Sequence, residues 1–142
     1  RWDDISRRIA SQLFPLMRPD ARQQVRDHFE RFLSDPGTHM LRPTLTHGDF
    51  GDSNILYDPT TRRVTGVIDF GSVAADDPAV DLAAASTIHP KLLDFIPDAY
   101  PSATDMLARV AFYRGTFALQ EALFGIESGD EDALRTGLEV YC

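Results

Sequence analysis

The chain has a single cysteine, Cys142, and it is the last residue, so no internal disulfide can form. One thiol without a disulfide framework fits a reducing, cytoplasmic setting. Lysine is equally scarce: Lys91 stands alone among 14 basic residues. None of the nine glycines is arranged as G-x-G-x-x-G, a turn that cradles phosphates. No apolar run approaches the ~20 residues that a membrane span needs. No signal-peptide pattern opens the chain, and no internal repeat or low-complexity tract occurs. Positive charge is short over most of the length. Residues 1–42 hold 8 basic and 6 acidic side chains, whereas residues 43–142 hold 6 basic and 16 acidic, for −8 overall. Nucleic-acid binding wants a basic footprint, so this balance argues against it. It suits a divalent cation and a cationic substrate, although acidic surface is also an ordinary route to solubility.

At 142 residues and 43% hydrophobic, the chain is one domain's worth with enough apolar residues for a core. Trp2, Ile5, Ile9, Leu13 and Leu16 recur at helical spacing, which predicts a helix over 2–17 ended by Pro15 and Pro19. A second helix is predicted over 21–33, with Val25, Phe29, Phe32 and Leu33 on one face. Asp20 can cap its start, and Asp35-Pro36-Gly37 stops it. His28 and His39 read as surface or loop residues. Further on, an Ala-rich helix is predicted over 78–87 behind an N-capping Asp77, and a short one over 91–95. The longest covers 102–124 and is apolar nearly all round, the mark of a core helix. Its polar stripe is narrow: Arg114, then Glu121 two turns on. Gly125 and Gly129 would close it, and a last helix occupies 130–140.

Between these helices lies the stretch that carries chemistry, from Thr46 to Asp81. T-H-G-D-F-G-D-S-N-I-L-Y-D follows a short β-prone run over 44–46. Asp58-Pro59-Thr60-Thr61-Arg62-Arg63 is turn chemistry, and 64–70 returns as a strand ending on Asp69-Phe70-Gly71. The hairpin brings Asn54, at the start of one strand, beside Asp69 at the end of its partner. Asp49 hangs from the loop just before. Three oxygen-bearing side chains at one end of a hairpin make a site for a hard divalent cation. The plainer account has Asp49 and Asn54 as turn residues and Asp69 as a strand-ending cap. A metallophosphoesterase would need more metal-binding groups than His28, His39 and His89 supply. Asp81, among Val80, Leu82 and Ala83, needs a partner if it is buried; otherwise it lies on a solvated helix face.

H-x-D-x-x-x-x-N followed by apolar-D-F-G resembles the catalytic-loop and metal-loop pair of protein-kinase-like phosphotransferases. The form H-G-D-x-x-x-x-N, with I-D-F-G and then D-P-x-x-D-L-A, is similar to the small-molecule branch: aminoglycoside phosphotransferases and their choline-kinase-like and macrolide-kinase relatives. The matching block covers about a quarter of the chain. The resemblance implies an α+β, mostly helical fold: the C-terminal lobe of a protein-kinase-like protein, with a small β-hairpin carrying both loops. Residues 1–42 would be a helical segment, 43–87 the catalytic and metal loops, and 88–142 a helical substrate-side subdomain. The implied reaction is ATP-dependent transfer of a γ-phosphoryl group to a hydroxyl of a small molecule, aminoglycoside-like or otherwise cationic. Asp49 would be the catalytic base and His47 would brace its loop. Asn54 and Asp69 would hold Mg²⁺ against the ATP phosphates. Asp81 would hydrogen-bond the catalytic-loop backbone. Glu121 would contact a cationic substrate, or else belong to the surface stripe beside Arg114.

The same resemblance implies a nucleotide-holding N-terminal lobe outside these residues. A Gly-rich loop and a Lys–Glu pair belong before the catalytic loop, and Lys91 falls after the metal loop. The 142 residues alone are then expected to be inactive. Apolar groups around Ile55-Leu56 and Val67-Ile68 would be bare and would favour self-association. Only twelve residues lead from Asp69 to Asp81, too few for a long regulated activation loop, which favours a small-molecule substrate. A non-catalytic kinase-like binding or assembly module is the other reading. The set Asp49, Asn54 and Asp69 argues for the enzyme, since a scaffold needs none of them.

Overall fold

The computed structural model describes residues 1–37, 42–89 and 91–142, so His39 lies outside the described residues. It is largely helical, with two small antiparallel sheets. The chain groups into two compact units, Arg1–His39 with Arg114–Cys142, and Met40–Tyr113. Among the described residues no helix is long and apolar enough to cross a membrane.

In the first unit α1 (Trp2–Arg8) passes into a π-helical turn (Ile9–Leu13) and a 3₁₀ turn (Phe14–Leu16), where the pattern had predicted one helix to Met17. Pro15 offers no N–H to continue an α-helical ladder. α2 (Pro19–Leu33) begins on a proline, whose missing N–H is no loss at the first helical position. Asp20 is not its cap: the carboxylate sits in the first turn and accepts Arg18 Nε at 3.3 Å. Ala21, Val25 and Phe29 line its buried face. His28 is a half-buried helix residue and not a loop residue, and a Cβ on Gly115 would stand 2.6 Å from its Nε2.

α5 (Leu107–Ser128) runs straight through Gly125, which is therefore not a stop. Gly125 is instead where the start of α6 (Glu131–Leu138) comes close, since a Cβ there would lie 2.7 Å from Leu134 Cα. Gly129, with φ at 77°, ends the helix, and the Asp130 N–H returns to the Gly125 carbonyl at 2.9 Å. Asp130 then caps α6, its carboxylate accepting the Asp132 and Ala133 N–H groups. Arg8 pairs with Glu127 between α1 and α5, and Gln12 Nε2 joins them at 3.0 Å. Leu107 and Phe124 on α5 are 42% and 60% exposed, so this helix is buried along a face and not all round.

In the second unit β1 (Thr44–Thr46) pairs with a strand the pattern does not announce. That strand, called β4 below, is Ala74–Asp76, with Thr46 opposite Ala74. β2 (Ile55–Asp58) and β3 (Arg63–Val67) form the hairpin, Ile55 opposite Val67, with a register shift between Leu56 and Tyr57. Its turn is held by the Asp58 carboxylate, which accepts the Thr60 N–H at 2.8 Å and the Thr61 hydroxyl at 2.6 Å. β3 stops at Val67 and does not reach Phe70, because Asp69 takes a left-handed conformation (φ 60°, ψ 63°) and Phe70–Ser72 forms a 3₁₀ turn. After β4 come α3 (Ala79–Ile88), packed through Ala79, Ala83 and Ala85, and α4 (Leu92–Ala99). A 3₁₀ segment, Pro101–Met106, stands where the first turns of the long helix were predicted.

Candidate active site

β1 delivers the chain to His47, which is buried, and the backbone turns at Gly48 with φ at 82°. Asp81, in the first turn of α3, accepts the His47 N–H at 2.7 Å and the Gly48 N–H at 2.9 Å. Two donors on one carboxylate make a charge-assisted clamp on the loop backbone. The His47 ring is fixed as well. The Asp49 N–H donates to Nδ1 at 3.3 Å, and Nε2 lies 2.9 Å from the Ile68 carbonyl oxygen. A backbone N–H can only donate, so Nδ1 is the acceptor and Nε2 carries the proton that Ile68 receives. Phe50 and Phe70 flank the ring, with centroids at 5.8 and 4.9 Å. One nitrogen braces the loop from within and the other ties it to Ile68 just past β3, so neither is left for a ligand.

Asn54 is buried at the entrance to β2, and its Nδ2 donates to the Asp49 carbonyl at 2.8 Å and to Asp49 Oδ2 at 3.0 Å. Both partners are acceptors, which settles the amide's orientation: the NH₂ faces Asp49 and Oδ1 faces away. Asp49 itself is exposed, with Oδ2 engaged by Asn54 and its other carboxylate oxygen left to receive a proton or a hydrogen bond. Asp69 is brought near by the hairpin, because the Ile68 N–H donates to the Asn54 carbonyl at 3.0 Å. Asp69 too is exposed. Its left-handed backbone, two residues past the strand, costs about 1–3 kcal/mol, a strain that gathers at functional sites. One end of the hairpin therefore presents a held carboxylate, an amide oxygen and a second, open carboxylate.

The family model described as "Phosphotransferase enzyme family" matches residues 1–121. The chain belongs to that family. It is 36% identical over 146 aligned residues to the viomycin phosphotransferase of Streptomyces vinaceus, covering 99% of this chain and 49% of that protein. It therefore spans about half the length of that relative. The fold matches the GDP complex of an aminoglycoside 2'-phosphotransferase-IIIa at a TM-score of 0.82 and 23% identity, over 98% of this chain and 48% of that one. It also matches a macrolide 2'-phosphotransferase type I at a TM-score of 0.76 and 25% identity, over 99% of this chain and 46% of that one. The α+β kinase-like architecture is thereby shown.

The donor set in this family member fits Mg²⁺. Asn54 Oδ1 and the Asp69 carboxylate are hard oxygens on adjoining backbone, and Mg²⁺ beside phosphates takes one or two protein oxygens in place of a full protein cage. Among the described residues no group of three or more His, Cys, Asp or Glu residues able to hold a metal occurs. Glu121 is exposed on the part of α5 that belongs to the first unit. His89 follows α3 and accepts the Lys91 N–H on Nδ1 at 3.1 Å.

Sequence reasoning passed over a polar cluster behind the site. Asp77, read only as a cap, has a fully buried side chain. Its carboxylate accepts the Ala79 N–H at 3.1 Å, Arg109 Nε at 2.8 Å and the Tyr113 hydroxyl at 2.7 Å. Burial, then the hydrogen bond to Asp77 and its charge, pushes the Tyr113 phenol well above its ordinary range, so it stays a donor. Removing one partner from such a buried pair costs about 3–5 kcal/mol. The signal in the chain was Asp77 directly before a proline and an Ala-rich helix; its distant partners Arg109 and Tyr113 leave none.

Proposed function

We propose that this chain provides the catalytic and metal-holding loops of a nucleotide-dependent phosphotransferase, which moves a γ-phosphoryl group to a hydroxyl of a small, cationic acceptor. The observation that carries this is the locked pair Asp49–Asn54 at the open end of the hairpin. Asn54 fixes one oxygen of Asp49, leaving the other to accept the proton of an incoming hydroxyl. His47 braces that loop, and Asp81 holds its backbone. Asn54 Oδ1 and Asp69 hold Mg²⁺. When bound, Mg²⁺ neutralises the phosphate oxygens that accumulate charge during transfer. The relative is a viomycin phosphotransferase and the structures of like fold are aminoglycoside and macrolide phosphotransferases, which sets the class of acceptor to try first. The acidic balance of residues 43–142 favours a cation among them.

The test is transfer of labelled γ-phosphate by the complete protein, from ATP and separately from GTP, to a panel of viomycin, aminoglycosides, macrolides and choline-like amines. Transfer to at least one acceptor, abolished by chelation of Mg²⁺, is expected. No transfer to any of them would overturn the reading. Residues 1–142 by themselves should turn over at a negligible rate, because the nucleotide is held jointly with sequence outside them.

The apolar groups on the second unit are the interface we assign to that other half. Leu45 is 80% exposed and Phe70 60%, with Leu56, Tyr57, Val64 and Ile68 bare beside the hairpin. Exposed apolar side chains on this scale are what an interaction face would cover. Residues 1–142 alone should therefore associate with one another in sedimentation as concentration rises. A strictly monomeric species would count against the assignment.

A further inference from the structure

The buried cluster around Asp77 is not used by any step above, yet it stands between two elements that place the catalytic loop. We propose that Asp77, held by Arg109 and Tyr113, is a positioning residue that sets α3 so that Asp81 meets the His47 and Gly48 N–H groups. The inference rests on the phosphotransferase reading for its kinetic consequence and on geometry alone for the rest. Asp77 joins β4 to α3. β4 is paired with β1, whose last residue, Thr46, immediately precedes His47. α3 carries Asp81 one turn further along from Asp77. A single carboxylate thus governs the approach of both sides of the clamp.

Its bonds are directional in a way that apolar packing is not. Asp77 Oδ1 accepts the Ala79 N–H and, at 3.4 Å, Arg109 Nη2, whereas Oδ2 accepts Arg109 Nε and the Tyr113 hydroxyl. Both oxygens are committed, one of them to the helix it begins. Rotating α3 about its axis would break that set and carry the Asp81 carboxylate away from two N–H groups now at 2.7 and 2.9 Å. Arg109 Nη1 also donates to the Asp105 carbonyl at 3.3 Å, so the 3₁₀ segment before α5 is anchored at the same point. Apolar residues of equal volume would hold a helix at least as firmly as a buried ion pair does. What the polar cluster adds is a unique orientation.

The experiment uses the complete protein with Asp77→Asn, which keeps shape, and Tyr113→Phe, which removes one hydroxyl and leaves the ring. Folded fraction, steady-state kinetics and amide hydrogen exchange are measured together. Expected is a fall in kcat per folded molecule of about 10–10²-fold, the scale of a small misplacement at a reacting centre. The KM for nucleotide should stay within about two-fold, since the metal-holding side chains are untouched. The His47 and Gly48 amides should lose protection while those of α2 keep theirs. Added to Asp81→Asn, Asp77→Asn should lower kcat little further, because both act through one clamp. Loss of folded fraction with kcat per folded molecule and both amides unchanged would overturn the proposal and leave a purely structural role. If Asp77→Asn does not fold, Tyr113→Phe decides by the same readouts. If the unaltered protein transfers phosphate to no acceptor, the functional reading fails, while the two amides still decide the positioning claim.

Discussion

Asp49→Asn will lower kcat by about 10²–10⁴-fold, the usual contribution of a positioned general base, and leave nucleotide affinity nearly unchanged. The variant keeps the shape of the side chain and an oxygen able to receive the Asn54 amide, so the loop has no reason to move. What it removes is the carboxylate proposed above to take the hydroxyl proton. Asp69→Asn should behave differently. Asparagine tolerates the left-handed backbone that Asp69 adopts, with φ at 60°, so the substitution reports charge and not strain. Loss of that charge should weaken Mg²⁺–nucleotide binding together with turnover. Asn54→Ala should fall between, since on the proposed reading it deletes a neutral ligand, and it also frees Asp49 Oδ2. Steady-state kinetics with Mg²⁺ and nucleotide titrated separately distinguish the three. Near-normal kcat in Asp49→Asn, or an unaltered Mg²⁺ dependence in Asp69→Asn, would show that this loop does not do phosphoryl transfer.

The arrangement of these residues was legible because it is local. H-G-D and the Asn five residues after its Asp belong to one loop and one strand entrance, and D-F-G follows two residues past the partner strand, so spacing along the chain tracks distance in space. α2 was legible for a similar reason: Val25 and Phe29 repeat with the period of the helix they bury. β4 was not. Three residues with two alanines carry no alternation, and the strand exists because β1 lies opposite it, 30 residues away at Leu45 and Ala75. Gly125 misled in the other direction. A glycine inside a helix reads as a stop, but here α6 needs the room, and that requirement lies in tertiary packing. Asp20 looked like a cap and is a first-turn carboxylate, because Pro19 had already opened the helix one residue earlier. The Asp77 cluster was hidden for the reason β4 was: its donors sit 32 and 36 residues away. The glycine of H-G-D is visible in the sequence as part of a motif, but nothing along the chain gives an account of why it must be glycine.

The structure supplies that account, and Gly48→Ala should be the most damaging small substitution in the second unit. Gly48 has φ at 82°, which L-residues avoid at a cost of about 1–2 kcal/mol. Worse, an added Cβ would overlap the carbonyl oxygen of Ser72 and lie 3.0 Å from Ser72 Cβ. Ser72 ends the 3₁₀ turn that follows Asp69, so the obstruction is largely backbone and cannot rotate aside. Relief has to come from separating the His47–Asp49 loop from the turn at Phe70–Ser72, which pulls the Gly48 N–H off Asp81 and shifts Asp49 relative to Asn54 and Asp69. A displacement of that kind costs about 10²-fold in rate, beyond any loss of folded protein. Gly129→Ala separates the two contributions. Gly129 has a similar φ of 77° but nothing within 4 Å of the position its Cβ would take. It should show the conformational cost alone, about 1–2 kcal/mol in stability with kcat per folded molecule preserved. Thermal melts and kcat measured on the same preparations of both variants make the comparison. Should Gly48→Ala lose no more than Gly129→Ala in either quantity, the close contact with Ser72 is not what the glycine is for.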